Sequence, residues 1–574
     1  MKIVVVGGVA GGASTAARAR RLNEQAEIVV LERDHYVSYA NCGLPYHIGG
    51  VIPDRQSLLV QTPEKLKQSL NLDVRVGHEV TTIDRSAKRV HARNLQTGET
   101  YIETYDKLVL SLGASPIRPN LPGIDHPQIY VLRNIPDMDA IMARLGPQTQ
   151  RAIVIGGGYI GVEVAENLVH LGLRVHLVEM MDQIMATLDI EMARDLQYHM
   201  ADHGVTLHLG TAAESFEEVE GQLRADLSNG EQLVADLVVM AVGVRPNTAL
   251  AQQAGLPVGP RGGLVTDPHM RTIDPDIYAV GDMVETTHTV TGQPTLAALA
   301  GPANRQGRIA ADNICGRDSA YTSTQGTAVV KLFDMVGGGT GASERMLRQA
   351  NLPYGKVYLH PSGHATYYPG TAAMHMKVLF SPDSGKLLGA QVVGFDGIDK
   401  RIDVLATALR AGMTVYDLEH LELSYAPPFG SAKDAVNMAG FLAANLLRGD
   451  YRPWYAEDYP EKTNLGHLID VRTAREYEEW HIPGAINLPL DSLRDRSGEI
   501  PADGPLYVYC RVGFRGYLAA RILMQRGFDP VFNLSGGALT FSSFHPTVYS
   551  TGKADYPFVA HAEDAIAEQI LTGV

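Results

Sequence analysis

Three cysteines are the residues of this 574-residue chain best placed to do redox chemistry. Cys42 lies in Ser38-Tyr39-Ala40-Asn41-Cys42-Gly43-Leu44-Pro45-Tyr46, with His at 47 and no second cysteine near it. A thiol so placed cannot close a local disulfide, and any redox cycle runs through an external partner as a mixed disulfide, a persulfide or a sulfenic acid. Cys510 follows the apolar run 506–509 and opens Cys510-Arg511-Val512-Gly513-Phe514-Arg515. A thiol between an apolar run and a helix start is placed where the helix dipole favours the thiolate. Cys315, in Asn313-Ile314-Cys315-Gly316, reads as a structural thiol at a helix end. No CxxC occurs, which excludes a zinc ribbon and a thioredoxin-type dithiol, and no metal site is expected.

The elements that must position Cys42 are written in two similar segments. Each runs from a β-branched strand through a glycine cluster and a helical stretch to a second strand ending in Glu. The first covers 3–6, 7–12, 13–22 and 28–31 with Glu32; the second covers 152–155, 156–161, 162–171 and 175–178 with Glu179. This is the βαβ dinucleotide signature, with the diphosphate at a helix N-terminus and the acid on a ribose hydroxyl. Gly156, Gly158 and Gly161 complete G-x-G-x-x-G, whereas the first unit reads Gly7, Val9, Gly12. Met180, Met181 and Asp182 follow Glu179 with no basic residue to take a 2′-phosphate, which favours NADH over NADPH.

Composition sets the outer limits. The length predicts three to five domains, and 45% hydrophobic with 20% charged residues is ordinary for globular protein. A net charge of −15 argues against nucleic acid as the main partner. With no apolar run long enough to span a bilayer, and the N-terminus reading as a buried strand rather than a signal peptide, the cytoplasm is the expected location. The run Arg18, Arg20, Arg21 is a local basic exception on the first helix.

Further along, 108–114 reads as a strand ending in a small-residue turn, and 276–282 as an apolar run closing on Gly281-Asp282. From 325 to 447 strands at 329–333, 357–359, 376–380 and 388–393 precede helices, giving an α+β domain. Residues 448–464 are charged, proline-bearing and without period, so they read as a linker. Short strands and helices alternate beyond it, and 560–571 has the pattern of a short amphipathic helix.

The paired units, the Gly-Asp signature and the following α+β domain resemble the flavin-dependent pyridine nucleotide–disulfide reductases. The resemblance implies an FAD-binding domain at 1–110 and 245–322, an NAD(H)-binding domain at 150–242 and a dimerisation domain at 323–447. It implies that Gly7, Gly12 and Glu32 hold the FAD diphosphate and ribose, and that Asp282 bonds the ribityl chain. Gly156, Gly158, Gly161 and Glu179 would hold the nicotinamide cofactor, with Tyr159 and Glu163 near its ring. Many members carry Cys-x4-Cys where this sequence has Cys42 alone, placing it with the single-cysteine branch. A flavin alongside and a helix N-terminus beneath would hold Cys42 as thiolate, below the usual pKa of about 8.5.

Within that branch, SYANCGLPY, Tyr367-Tyr368-Pro369-Gly370 and Ser424-Tyr425-Ala426-Pro427-Pro428-Phe429 resemble coenzyme A-disulfide reductases, and Ala10 stands where peroxidases and oxidases have His. The resemblance implies that Ser14, Arg18, Arg21, Ser38 and Asn41 contact coenzyme A. It implies a homodimer in which Tyr367 and Tyr425 reach Cys42 of the other subunit, as donors to a leaving thiolate.

Leu468-Ile469-Asp470-Val471-Arg472, Glu476-Tyr477, His481–Asn487 (481–487) and the Cys510 loop resemble the rhodanese family, over 465–555. Arg515 would close the loop and Arg511 bind an anionic sulfur donor. Phosphatase and arsenate-handling relatives have five residues between Cys and Arg; four here favour sulfur. The expected fold is therefore α/β: two Rossmann-like domains, an α+β dimerisation domain and a C-terminal rhodanese domain. The expected activity is FAD-dependent, NADH-driven reduction of coenzyme A persulfide or polysulfide with release of sulfide, Cys510 carrying sulfane sulfur. The alternatives are reduction of coenzyme A disulfide for thiol homeostasis, or a flavin-based redox sensor.

Overall fold

A computed structural model describes residues 1–549 in two compact units, Met1–Ile184 with His203–Thr324, and Met185–Asp202 with Gln325 onward. The expected helix at 560–571 lies outside the described residues.

The first unit is built on two five-stranded parallel sheets. One has the order Ile277–Ala279, Lys107–Leu110, Lys2–Val6, Glu27–Glu32, Asp73–Val76. The other has the order Val205–His208, Arg174–Val178, Arg151–Ile155, Leu237–Met240, Ile129–Val131. Their central strands are continuous apolar runs because both faces are covered: Ile3, Val4, Val5, Ala152, Ile153 and Val154 have no exposed surface. A three-stranded antiparallel sheet accompanies each (His78–Asp84, Arg89–Asn94, Thr100–Thr104; Ala213–Val219, Gln222–Leu227, Gln232–Ala235).

In both units of the repeat the strand-to-helix turn is set by one contact. A Cβ on Gly12 would stand 1.8 Å from the carbonyl oxygen of Gly7, and one on Gly161 would stand 1.9 Å from that of Gly156. Gly7 and Gly156 are left-handed, φ +97° and +108°. The helices that follow, Ala10–Leu22 and Tyr159–His170, have no side chain capping their first amides. Val9, which departs from the glycine pattern, sits at the N-cap and leaves that turn intact.

The second unit carries an antiparallel sheet in the order Ala328–Leu332, Met335–Gly341, Leu387–Gly394, Met374–Phe380, Gly355–Leu359. The strand Met335–Gly341 was not expected: four of its seven residues are glycine, which carries no strand signal, yet Gly337 must be small to admit Leu196. A parallel sheet completes the unit in the order Arg452–Trp454, Val531–Leu534, Leu506–Tyr509, His467–Asp470, Ile486–Asn487.

Two boundaries differ from the sequence reading. Helix Ile190–Asp202, expected within the nicotinamide domain, packs in the second unit, where Leu196 meets Gly337 and Glu191 meets Lys377. Within 448–464, expected as a linker, Arg452–Trp454 pairs in parallel with Val531–Leu534, and Trp454 is buried and donates from Nε1 to the Val508 carbonyl at 3.1 Å. Three residues are too short for a period to show.

A buried charge cluster ties the second unit together. Lys377, with no exposed surface, pairs with Asp189 (2.7 Å), Glu344 (2.6 Å) and Glu191. Lys356 joins Glu344 at 3.1 Å and also contacts Glu457. Two lysines thus face four carboxylates, and each carboxylate has a lysine partner, the condition on which ions are tolerated in an interior.

Candidate active site

In the first unit a cavity of about 1100 Å³ opens along the glycine turn. Gly7, Val9, Ala10, Gly11, Glu32, Asn41, Cys42, Arg133 and Asp282 are among its lining residues. Glu32 is fixed by two amides, Gly8 N–H at 2.7 Å and Asp34 N–H at 2.8 Å, and burial raises its pKa against them. Glu179 repeats the arrangement, accepting from Gly157 at 2.7 Å and Met181 at 2.8 Å. Each acid thus stands at the end of its second strand facing its own glycine turn.

Cys42 is exposed, in the short turn Asn41–Gly43 that leads into helix Leu44–Ile48. Its surroundings push the thiol up rather than down: burial by neighbouring atoms comes first, then the Glu163 carboxylate, with Arg133 opposing and Asp282 adding to the rise. The protein's own side chains thus raise the thiol, whereas the expected lowering rests on a flavin alongside and a helix N-terminus. Burial of the thiol is the first cause, and Glu163, on helix Tyr159–His170, adds to it from another part of the chain. Glu163 itself is pushed up to about 7 by burial, with Glu166 adding to the rise, and Tyr46 OH lies 3.4 Å from its Oε1.

Arg133 is a site residue that sequence reasoning missed. Its Nη2 pairs with Asp282 Oδ2 at 2.7 Å, its carbonyl accepts from Asn41 Nδ2 at 3.3 Å, and its charge bears on Cys42. It follows a three-residue strand and belongs to no motif.

The five residues expected around coenzyme A are not gathered at the cavity. Only Asn41 lines it with Cys42. Ser14 and Arg18 face helix Ala300–Ile314, Ser14 through Asn304 and Arg18 through Asp312 at 2.8 Å. Arg21 is exposed. Ser38 is left-handed (φ +49°), its amide donating to the Gly8 carbonyl at 3.0 Å. Arg20 is buried and spends its guanidinium on the carbonyls of Leu70, Glu24, Asn23 and Asn71, so the basic run is not one continuous grip.

In the second unit Tyr367 and Tyr425 are exposed and joined through their hydroxyls at 2.7 Å. Cys510 is buried at the end of strand Leu506–Tyr509, and Gly513 N–H donates to its Sγ at 3.1 Å. Gly513 is left-handed, φ +96°, which turns that amide back toward the sulfur before helix Phe514–Gln525 begins. Arg515 is held by a two-pronged pair with Glu476, 2.9 and 2.6 Å. Burial opposes ionisation of Glu476, but Arg515 and the Thr473 amide prevail and hold it at about 2. Glu476 was visible in the motif without a role; its role is to fix Arg515. Arg511 is half-buried directly after the cysteine.

This combination of a doubled dinucleotide turn, a lone cysteine beside the first and an antiparallel sheet beyond defines a class. The chain belongs to the pyridine nucleotide-disulphide oxidoreductases: the family model matches residues 1–306, the dimerisation domain of the same family 327–436, and a rhodanese-like domain 453–543. It is similar to coenzyme A disulfide reductase of Staphylococcus epidermidis, 36% identical over 77% of this chain and 99% of that one. The crystal structure of reduced Bacillus anthracis CoADR-RHD is 47% identical with a TM-score of 0.93, covering 96% of this chain and 99% of that one. A NAD-dependent persulfide reductase from A. fulgidus is 37% identical with a TM-score of 0.89, covering 94% of this chain and 100% of that one. The expected fold class and family are as found.

The family implies FAD and a pyridine nucleotide, and the residues fit both. Uncapped helix N-termini behind glycine turns accept diphosphates, a carboxylate closes each turn, and the cavity, about 1100 Å³, is slightly larger than the usual ligand cleft of about 300–1000 Å³.

Proposed function

We propose that this protein is an FAD-dependent, NADH-driven reductase of coenzyme A persulfide or polysulfide that releases sulfide, with a second site that carries sulfane sulfur. The observation that carries this reading is the presence in one chain of two differently built thiols. Cys42 stands alone on a dinucleotide cavity, and Cys510 stands in a loop whose amide turns to its sulfur.

Gly7, Gly12, Glu32 and Asp282 hold FAD; Gly156, Gly158, Gly161 and Glu179 hold NADH, with Tyr159 and Glu163 toward its ring. Bound FAD supplies the two-electron link between NADH and the Cys42 sulfur. The Cys42 thiolate attacks the outer sulfur of an incoming persulfide, the inner thiolate leaves, and two electrons with protons free the bound sulfur as sulfide. Ser14, Arg18, Arg21, Ser38 and Asn41 bind coenzyme A, Arg18 after exchanging Asp312 for phosphate. The second copy in a homodimer brings Tyr367 and Tyr425 to Cys42 as donors to the leaving thiolate. At Cys510 the Gly513 amide stabilises thiolate and persulfide, Arg511 takes the anionic donor, and Arg515, fixed by Glu476, shapes the loop. The Glu179 carboxylate repels a 2′-phosphate and selects NADH.

The test is anaerobic sulfide release from coenzyme A persulfide at the expense of NADH. Cys42→Ser is expected to abolish it, and undiminished turnover overturns the reading. Reduction of coenzyme A disulfide is the second reading, supported by the curated relative; a higher kcat/KM for the disulfide than for the persulfide selects it.

A further inference from the structure

Sulfur transfer needs the loop 510–515 in one geometry, and the loop is held from outside. In the second unit the carbonyls of Cys510 and Arg511 accept hydrogen bonds from the amides of Ala538 (2.8 Å) and Leu539 (3.0 Å), in the first turn of helix Gly537–Phe544. The turn into that helix is tight: Gly536 and Gly537 are left-handed, and a Cβ on Gly537 would stand 2.5 Å from the Arg511 carbonyl oxygen.

Thr540, in the same turn, has no exposed surface. Its Oγ1 lies 2.9 Å from His360 Nε2 and 3.3 Å from His375 Nε2, and the two rings stack with centroids 4.4 Å apart. His375 Nδ1 lies 2.9 Å from Asp195 Oδ2. All four side chains are more than nine-tenths buried. Thr540 falls in the rhodanese-like segment; His360 and His375 fall in the dimerisation segment, and Asp195 on helix Ile190–Asp202.

The polarity of the chain follows from its end. A carboxylate only accepts, so His375 carries a proton on Nδ1, and with the ring as this tautomer Nε2 offers a lone pair. The Thr540 hydroxyl donates to that lone pair, and its oxygen then accepts from His360 Nε2–H. Burial, then His375 and Arg511, keep His360 well below the ordinary imidazole range, hence neutral. In this arrangement the hydroxyl bridges the two rings, donating to one and accepting from the other.

We infer that the Asp195–His375–Thr540–His360 chain positions the Cys510 sulfur-transfer loop, so that the rhodanese-like site is completed by residues of the reductase part of the same chain. This rests on the reading of Cys510 as a sulfur carrier. These are positioning residues: they fix the helix turn whose amides hold the carbonyls of Cys510 and Arg511, and through them the direction of the loop amides.

The experiment uses the full-length holoenzyme, thiosulfate as sulfur donor and cyanide as acceptor, with thiocyanate as the readout and NADH-linked disulfide reduction as the control. Thr540→Val keeps the shape and loses the hydroxyl; Thr540→Ser keeps the hydroxyl and loses the methyl. Thr540→Val is expected to lose on the order of tenfold or more in sulfur-transfer kcat/KM, with Thr540→Ser close to wild type and the control unchanged in both. Wild-type transfer by Thr540→Val, or equal loss in both variants, overturns the inference, because packing rather than the hydrogen bond would then decide. Should Thr540→Val fail to fold, which loss of the control activity reveals, His360→Phe keeps a ring to stack on His375 and removes the donor to Thr540. The same selective loss supports the inference, and wild-type transfer overturns it. Cys510→Ser separates the two readings: if it transfers sulfur as well as wild type, the carrier role falls and the positioning role with it. If only Cys510→Ser loses transfer, the carrier stands and the positioning role falls.

Discussion

At the scale of single residues, Glu163 is the group that links pH to the Cys42 thiol. Its carboxyl titrates at about 7, and its charge raises Cys42. Above pH 7 the carboxylate opposes formation of the thiolate; below it the neutral acid does not. Glu163→Gln removes that opposition at all pH values, so the Cys42 pKa falls. The rate at which iodoacetamide alkylates Cys42 at pH 8, followed by mass of the Cys42 peptide, is expected to rise roughly three- to tenfold, a shift of one pKa unit or less. An unchanged or slower rate refutes the coupling. Sequence reasoning placed Glu163 by the nicotinamide ring, and only the approach of helix Tyr159–His170 brings it to bear on the thiol.

At the scale of elements, the two glycine turns make separable predictions. A methyl at residue 12 meets the Gly7 carbonyl and one at residue 161 meets the Gly156 carbonyl, each closer than real atoms approach. Gly12→Ala is expected to lose most of its flavin, read as flavin absorbance per polypeptide. Gly161→Ala is expected to keep flavin while its KM for NADH rises on the order of tenfold or more; equal flavin loss in both would refute the assignment of the turns. The charge cluster makes a third. Lys377→Met leaves Asp189 and Glu191 buried without their cation, while Glu344 keeps Lys356, and denaturant unfolding is expected to show a loss of about 3–5 kcal/mol. Glu344 adds a pH dependence: burial raises it, but Lys377 and Lys356 prevail and hold it well below the usual carboxylate range. A depressed acid stabilises the fold fully above about pH 4.5, its unfolded value, and less as the pH falls below that.

At the scale of the whole molecule, the pair Tyr367 and Tyr425 is exposed, with Phe429 70% exposed nearby in sequence, and the proposed homodimer puts it against a second copy. If the tyrosines serve the partner's thiol, chains carrying Cys42→Ser mixed with chains carrying Tyr367→Phe and Tyr425→Phe regain one intact site per mixed dimer. Such dimers are expected to recover up to about half of wild-type turnover per dimer. No recovery above the two parents refutes sharing of the site. Among the described residues no helix is long and apolar enough to cross a membrane.

The sequence by itself determined whatever is encoded in contiguous residues. Strand–glycine–helix–strand–acid is local, because a close approach at Gly12 or Gly161 and a buried parallel strand leave their mark within about thirty residues. The Cys510 loop is legible for the same reason: strand, six-residue loop and helix are consecutive. Tertiary structure alone decided what faces these motifs. Arg133 reaches Asp282, Glu163 reaches Cys42, Arg18 meets Asp312, and Asp195, His375 and His360 converge on Thr540 across hundreds of residues of chain. No local period encodes such pairs. They exist because buried donors and charges must find partners once packing removes water, and which partners are in reach depends on how distant elements stack.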